Sequence, residues 1–230
     1  MHHVTAILKK QLKDTIKNKT VLIQFILFPA FTWIMNSAVI MEDMPENFFV
    51  TLFATMYIGM APLTSMAAII AEEKETNTLR VLIFSNVKPH EYLLGVGIYV
   101  WGICMLGAGV ICAAGGYDLQ TSAAFLGILA VGILTSLLIG AAIGTWSRTQ
   151  MMATSVTVPV MMVFSFLPML SMFNDTIAKI AKFTYSEQIS RMLGQVGHLA
   201  LTTEAICILC ANILLAAALF AAAYKRCGLA

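Results

Sequence analysis

Six long apolar stretches constrain the fold of this chain more than any other feature. Crossing the hydrocarbon of a bilayer takes about 20 mostly apolar residues in a helix. A helix also satisfies its own backbone hydrogen bonds, which lipid cannot do. We therefore predict an all-α membrane protein with six transmembrane helices. The predicted spans lie near residues 20–41, 49–71, 92–115, 121–146, 150–173 and 202–224.

Composition supports a chain that faces lipid. Hydrophobic residues make up 59% of the 230 residues and charged residues only 11%, whereas soluble domains carry roughly 25% charged residues. This deficit excludes a soluble enzyme, because a water-facing surface needs polar cover. The net charge of +2 gives no indication of a nucleic-acid partner.

Residues 1–19 form a separate piece ahead of the six-span region, 20–230. Val4, Leu8, Leu12 and Ile16 recur at every fourth position, and lysines fill the remaining face. This pattern predicts a basic amphipathic helix that lies in the inner headgroup layer. A solvated leader whose charges only orient the chain is the alternative.

The distribution of basic residues predicts the orientation. With the N-terminus in the cytoplasm, three of the 14 basic residues lie outside, namely Lys179, Lys182 and Arg191. The eleven on the cytoplasmic side are Lys9, Lys10, Lys13, Lys17, Lys19, Lys74, Arg80, Lys88, Arg148, Lys225 and Arg226. Because basic residues favour the cytoplasmic side, both termini are predicted to be cytoplasmic.

Two loops are long enough to form helices of their own. The predicted outer segment 174–199 is amphipathic but too polar to span, which predicts one or two short helices at the outer interface. The predicted inner segment 72–91 begins with acidic residues, which favour a helix start. It places Leu79, Leu82 and Ile83 on one face. We expect a short helix parallel to the inner surface, suited to docking a cytoplasmic partner.

The spans lack the groups that catalysis or ion coupling requires. None has a central ionisable side chain, whereas proton-driven carriers generally need one in the membrane. The P-loop pattern G-x-x-x-x-G-K-[ST] and the hydrolase patterns H-E-x-x-H and G-x-S-x-G are absent. We predict no enzymatic activity and no metal site, and any energy source must come from outside the chain.

Polar and flexible side chains within the spans are candidates for a substrate pathway. Flexible methionines suit varied apolar ligands, but core packing and interhelical hydrogen bonding are alternative roles for these residues. The candidates are Gln24, Thr32, Asn36, Thr55, Met161, Met162, Phe166 and Met169. Separately, Gly140 and Gly144 form a G-x-x-x-G that allows close helix approach, either within one subunit or between two.

The inner segment resembles that of type-2 ATP-binding-cassette exporter permeases. In that family E-x-E-x-G-T-L-E, L-x-x-S-P-V and E-x-L-L-G-K join the second and third spans. The matching positions here are Glu73, Glu75, Thr78, Leu79, Leu82, Ser85, Val87, Glu91, Leu93, Leu94 and Gly95. The departures are Asn77 for glycine, Arg80 for the acid, Asn86 for proline and Val96 for lysine. The order of basic helix, spans and outer helices agrees along nearly the whole chain.

The resemblance implies that this chain is half of a transporter and that a separate ATPase subunit supplies the energy. Two such permeases, identical or paralogous, would pair, and each would dock a cytoplasmic ATPase that holds ATP and Mg²⁺; no cofactor is expected in this chain. Coupling to the ATPase would fall to the inner segment, with ordinary helix capping and solvation as the alternative role. The candidate coupling residues are Glu72, Glu73, Glu75, Thr78, Leu79 and Arg80.

The predicted function is therefore ATP-driven export across a bacterial plasma (inner) membrane. Spans without buried charge favour an apolar or amphipathic cargo: a drug in multidrug efflux, an antimicrobial peptide such as a bacteriocin, or a lipid-like molecule. The alternative is a membrane scaffold or sensor that recruits a cytoplasmic protein without transporting anything.

Overall fold

A computed structural model describes residues 2–17, 19–39, 45, 47–85, 87–198 and 202–228. Within these ranges the chain folds into α-helices, with one 3-10 turn at Val196–His198 and no strand. The helices are α1 His2–Lys17, α2 Lys19–Ala38, α3 Phe48–Glu75, α4 Thr78–Phe84, α5 Pro89–Ala114, α6 Leu119–Trp146, α7 Gln150–Ser171, α8 Asp175–Ala181, α9 Tyr185–Gly194 and α10 Thr203–Cys227. Residues 40–44 and 46, which include the predicted end of the first span, lie outside the described ranges, as does Asn86.

The helices confirm an all-α membrane protein of about six spans. Five of them, α3, α5, α6, α7 and α10, are long and apolar enough to cross a membrane. The sixth, α2, has a shorter apolar part at Leu22–Ala38. This helix ends at Ala38.

Local capping sets several helix ends. Pro89 begins α5 three residues before the predicted span, at a position where its missing N–H costs nothing. The Glu91 carboxylate accepts the N–H of Lys88 at 3.0 Å. Asp118 accepts from the N–H of Gln120 at the start of α6, and Thr149 likewise caps α7. Side-chain acceptors at these positions satisfy donors that a helix leaves unpaired at its start.

Helix α3 forms the centre of the bundle, in contact with α2, α5, α6, α7 and α9. Its approach to α6 depends on the predicted small-residue pair. A Cβ on Gly140 would collide with the Leu63 carbonyl, and one on Gly144 would lie 2.9 Å from the Ala67 carbonyl oxygen. The G-x-x-x-G therefore packs two helices of the same chain.

Helix α1 was predicted to have an apolar face and a basic face, and in the structure a further side of it packs against the bundle. Ile7 and Gln11 are buried, and Ile7 packs directly over Gly95 of α5. Leu12 is half exposed and lies on the side predicted to meet lipid, while the lysines continue around the helix. The prediction of a basic amphipathic helix is thus refined, because one side of it docks on the bundle.

The segment between the last two spans was predicted to form one or two short helices, and it contains two, α8 and α9, at different depths. Helix α8 leaves Ile180 exposed, as a surface helix does. Helix α9 packs against α3 and α6 instead. Its Tyr185 is fully buried and donates to Ser136 Oγ of α6 at 2.7 Å, since that hydroxyl donates in turn to the Ile58 carbonyl.

We predict that Gly140→Ala destabilises the bundle. The added methyl would strike the Leu63 backbone, and overpacking of this kind costs about 1–3 kcal/mol. The measurement is thermal unfolding of the purified protein in detergent. Gly127→Ala on the same helix is the matched control: a Cβ there meets nothing within 4 Å, so its stability should be equal or slightly higher. Equal stability of the two variants would contradict the packing described here.

Candidate functional site

The basic end of the bundle is the place where α1, α4, the start of α5 and the ends of α3, α6 and α10 meet. There α3 runs on to Glu75, and a left-handed residue, Asn77 with φ of 58°, ends it. Asparagine and glycine accept this conformation with least strain, which accounts for a glycine at this position in the pattern that the sequence resembles.

The acidic residues of the inner segment do not begin a helix, and that prediction was wrong. Glu72, Glu73 and Glu75 occupy the last turns of α3, where the helix dipole disfavours negative charge. No residue before Asn77 interrupts the helix. Two of the three carboxylates also gain partners from other helices, which offsets the unfavourable position.

Glu73 is the buried residue of α3 that bonds to α1. Only 6% of it is exposed. Its Oε1 accepts from Gln11 Nε2 at 2.7 Å and forms an ion pair with Lys10. Lys10 Nζ also lies 3.5 Å from Asp14 Oδ2 on the exposed side of α1. Charge-assisted bonds of this kind are stronger than neutral ones, so Glu73 joins the amphipathic helix to the bundle.

The next two residues join α3 to two further helices. Lys74 Nζ donates to the Thr145 carbonyl at the end of α6, at 2.6 Å. Glu75 Oε2 accepts the N–H of Gln150, the first residue of α7, at 2.7 Å. A cation at a helix C-terminus and an anion at an N-terminus both complement the helix dipole. The end of α3 is therefore fixed on three sides.

Helix α4 has one face toward the protein and one toward solvent. Leu79 is 1% exposed, and Leu82 packs against the same core. On the opposite side Val81 is exposed and Phe84 is 89% exposed. A large unpartnered aromatic residue is a common anchor at protein interfaces.

The structure divides the candidate coupling residues by position. Glu73 and Leu79 are buried, and Thr78 is half-buried with its hydroxyl 2.8 Å from that of Thr76. Glu72, Glu75 and Arg80 are exposed. Val81 and Phe84 were not among the predicted coupling residues. Their spacing of three, out of phase with Leu79 and Leu82, was the signal that could have identified them.

The pathway candidates on α2 make separate contacts rather than line one space. Gln24 Oε1 is hydrogen-bonded to Thr64 Oγ1 of α3 at 3.0 Å. Thr32 donates to a carbonyl of its own helix. Asn36 Nδ2 donates to the Ala114 carbonyl of α5 at 2.7 Å. The bonds of Gln24 and Asn36 are interhelical, which is the alternative role that the sequence left open, whereas that of Thr32 is local.

A cavity of about 270 Å³ lies at the opposite end of the bundle, between α3, α7 and α9. Two pathway candidates, Thr55 and Met169, line it together with Glu187. Glu187 is buried and accepts from Arg191 Nε and Ser171 Oγ, each at 2.7 Å. The cavity is thus mainly apolar with one balanced charge pair.

The remaining pathway candidates on α7 lie outside this cavity. Met161 is half-buried and packs against a small cluster that includes Leu63 and Ile143. Met162 and Phe166 are exposed on the surface of the bundle. The methionine-rich helix therefore presents different residues to the core, to the cavity and to the outside.

Comparison with known proteins identifies a family for this chain. A family model described as ABC-2 family transporter protein matches residues 2–225, which is nearly the whole chain. No curated protein matches the chain.

We predict that Glu73→Ala loosens α1 from the bundle. The substitution removes the carboxylate that Lys10 and Gln11 share, so amide hydrogen exchange across α1 should accelerate about tenfold or more. Asp14→Ala is the control, because it removes the exposed partner of the same lysine; such pairs contribute little. Unchanged exchange of α1 in Glu73→Ala would disprove the anchoring role.

Proposed function

The chain belongs to the ABC-2 family of transporter proteins, and from this premise we propose that it exports apolar or amphipathic molecules from a bacterial cell. As a member it is a membrane-embedded permease subunit of an ABC transporter, and it works with a separate ATPase. The cargo, the outward direction and the location in the inner membrane are the proposed parts. Drugs, antimicrobial peptides and lipid-like molecules are the cargo classes that fit.

The observation that carries the proposal is the two-sided α4 at the basic end. Leu79 holds the helix to the bundle while Phe84 and Val81 face outward. In the proposed mechanism these two side chains enter a groove on the ATPase. Arg80, also exposed, adds a positive charge to that surface, which would favour an acidic rim on the partner.

A docking helix can transmit motion only if it is firmly joined to the spans. Helix α4 follows α3 after a two-residue turn, Thr76 and Asn77. The end of α3 in turn is bonded to α1, α6 and α7 through Glu73, Lys74 and Glu75. A displacement of α4 on ATP binding would therefore move the inner ends of several helices together, as alternating access requires.

The cavity between α3, α7 and α9 is the proposed outer part of the cargo route. Its lining of Thr55, Met169 and Pro168, with a paired Glu187 and Arg191, suits an apolar body with a polar group. We propose that a second permease, identical or paralogous, completes the route. The exposed apolar side chains of α7, Met162 and Phe166 among them, support such a partner.

We predict that Phe84→Ala weakens binding of the ATPase. Loss of a fully exposed aromatic anchor should reduce affinity about tenfold or more. The measurement is the amount of P-loop ATPase that copurifies with the permease from native membranes in mild detergent. Phe173→Ala is the matched control, because it removes a similarly exposed phenylalanine, 76% against 89%, from the opposite end of the bundle.

Two outcomes would count against the coupling proposal. Equal recovery of the ATPase with Phe84→Ala and with the unaltered chain would remove α4 as the docking element. Recovery of a different cytoplasmic protein with no ATPase activity would favour a scaffold or sensor instead.

We also predict that Met169→Trp blocks the cargo route without disturbing the ATPase. The indole would fill the cavity that Met169 lines, so efflux of a lipophilic dye from cells should fall about tenfold, while ATPase copurification stays normal. Leu106→Trp on α5 is the control, since Leu106 is exposed on a helix that does not line the cavity. Normal efflux in Met169→Trp, or an equal loss in Leu106→Trp, would contradict this route.

A further inference from the structure

Four cationic side chains converge on a second cavity, of about 460 Å³, at the basic end. It lies between the ends of α3, α6 and α10 and the start of α4. The described residues that line it include no acid. They are Lys74, Leu79, Arg80, Trp146, Arg148, Arg226 and Cys227.

The arginines of this basic cavity have no anionic partner among the described ion pairs, which involve only Lys10 and Arg191 as cations. Arginine stays protonated at any physiological pH. Several like charges around one concave space repel one another, and an anion in that space would remove the repulsion. Planar guanidinium groups match the oxygens of phosphate particularly well.

A large apolar groove of about 790 Å³ begins at the basic end, beside the start of α5, and extends along α5 and α6. It is lined by α5, α6, Met66 of α3 and Phe220 of α10, and its described lining is apolar except for His90 at the start of α5. Phe220 of the groove and Cys227 of the basic cavity are seven residues apart on α10. Seven residues make about two helical turns, so the two side chains lie on the same side of α10, about 10 Å apart along it. The groove and the basic cavity therefore adjoin along this side of α10.

We propose that this surface binds an anionic phospholipid, with its phosphate in the basic cavity and an acyl chain in the groove. Basic pockets between helices at the cytoplasmic membrane surface suit anionic headgroups, and Trp146 at the cavity suits the headgroup level. An acidic segment of a protein would neutralise the cavity but leave the apolar groove uncovered. Both parts of the surface together therefore favour a lipid.

The position of the site gives the lipid a structural role. Its cavity contacts α4 through Arg80 and Leu79, α6 through Trp146, and α10 through Arg226. A headgroup there would bridge the docking helix to the last span, whose described contacts are with α6 and α9. Anionic lipid would thereby stabilise the basic end of the bundle.

The test is native mass spectrometry of the full chain released from nanodiscs that contain phosphatidylglycerol or phosphatidylcholine. The variant Arg148→Gln with Arg226→Gln removes two charges from the cavity. We expect the unaltered chain to retain phosphatidylglycerol in preference to phosphatidylcholine, and the double variant to lose about thirtyfold in this preference. The control is Lys179→Gln with Lys182→Gln, in and directly after α8 at the opposite end of the bundle. It removes the same amount of charge and should leave the lipid preference unchanged.

Each other outcome would overturn the proposal. Equal lipid preference in the double variant and the unaltered chain would show that these arginines do not hold the headgroup. Complete displacement of phosphatidylglycerol by excess inorganic phosphate would reduce the site to a plain anion site without acyl recognition. Loss of ATPase copurification with unchanged lipid retention would assign the cavity to an acidic segment of the ATPase.

Discussion

Three consecutive side chains at the end of α3 hold the basic end of this bundle together. Glu73 bonds to α1, Lys74 to the last turn of α6, and Glu75 to the first turn of α7. Side chains that follow one another on a helix point about 100° apart, so three successive residues can reach three neighbours. Because α3 also lies at the centre of the bundle, α4 is joined through the turn at Asn77 to a helix end that three other helices hold in place.

The two ends of the bundle are built on different principles. At the basic end the contacts are charged and involve helix termini. At the opposite end α9 enters the bundle, with Tyr185 bonded to Ser136 and Glu187 paired with Arg191. Burial raises the pKa of the Tyr185 hydroxyl, which keeps it protonated as a donor. One end thus exposes one face of α4, while the other closes over a small cavity.

The periodicity of the sequence predicted the helices because lipid leaves the backbone few alternatives. The spans, α1, and the short helices of the two long loops all follow from apolar length and helical spacing. The errors lie where a helix end depends on partners distant in sequence. Glu73 and Glu75 suggested a helix start by local preference, but Lys10, Gln11 and Gln150 supply the contacts that place them at a helix end.

The site was only half predictable for the same reason. The resemblance drew attention to residues 72–91, yet it could not separate Leu79, which packs inward, from Phe84, which faces out. Likewise the candidates Thr55 and Met169 meet at one cavity while Gln24 and Asn36 do not. On α4 the spacing of Val81 and Phe84 was a local signal for the outward face. For the pathway residues the division depends on which side of each helix its neighbours occupy, and no local pattern of the sequence encodes that.

The arrangement of charge at the basic end explains more than the count of lysines and arginines does. Glu73 accepts a hydrogen bond from α1, and Glu75 accepts one from the first residue of α7. Two of the nearby acids are therefore bonded within the protein. Arg80, Arg148 and Arg226 are left around a space of their own. The basic cavity is therefore more positive than the sequence of the segment suggests, because Glu73 is buried against α1 and none of the described residues that line the cavity is acidic.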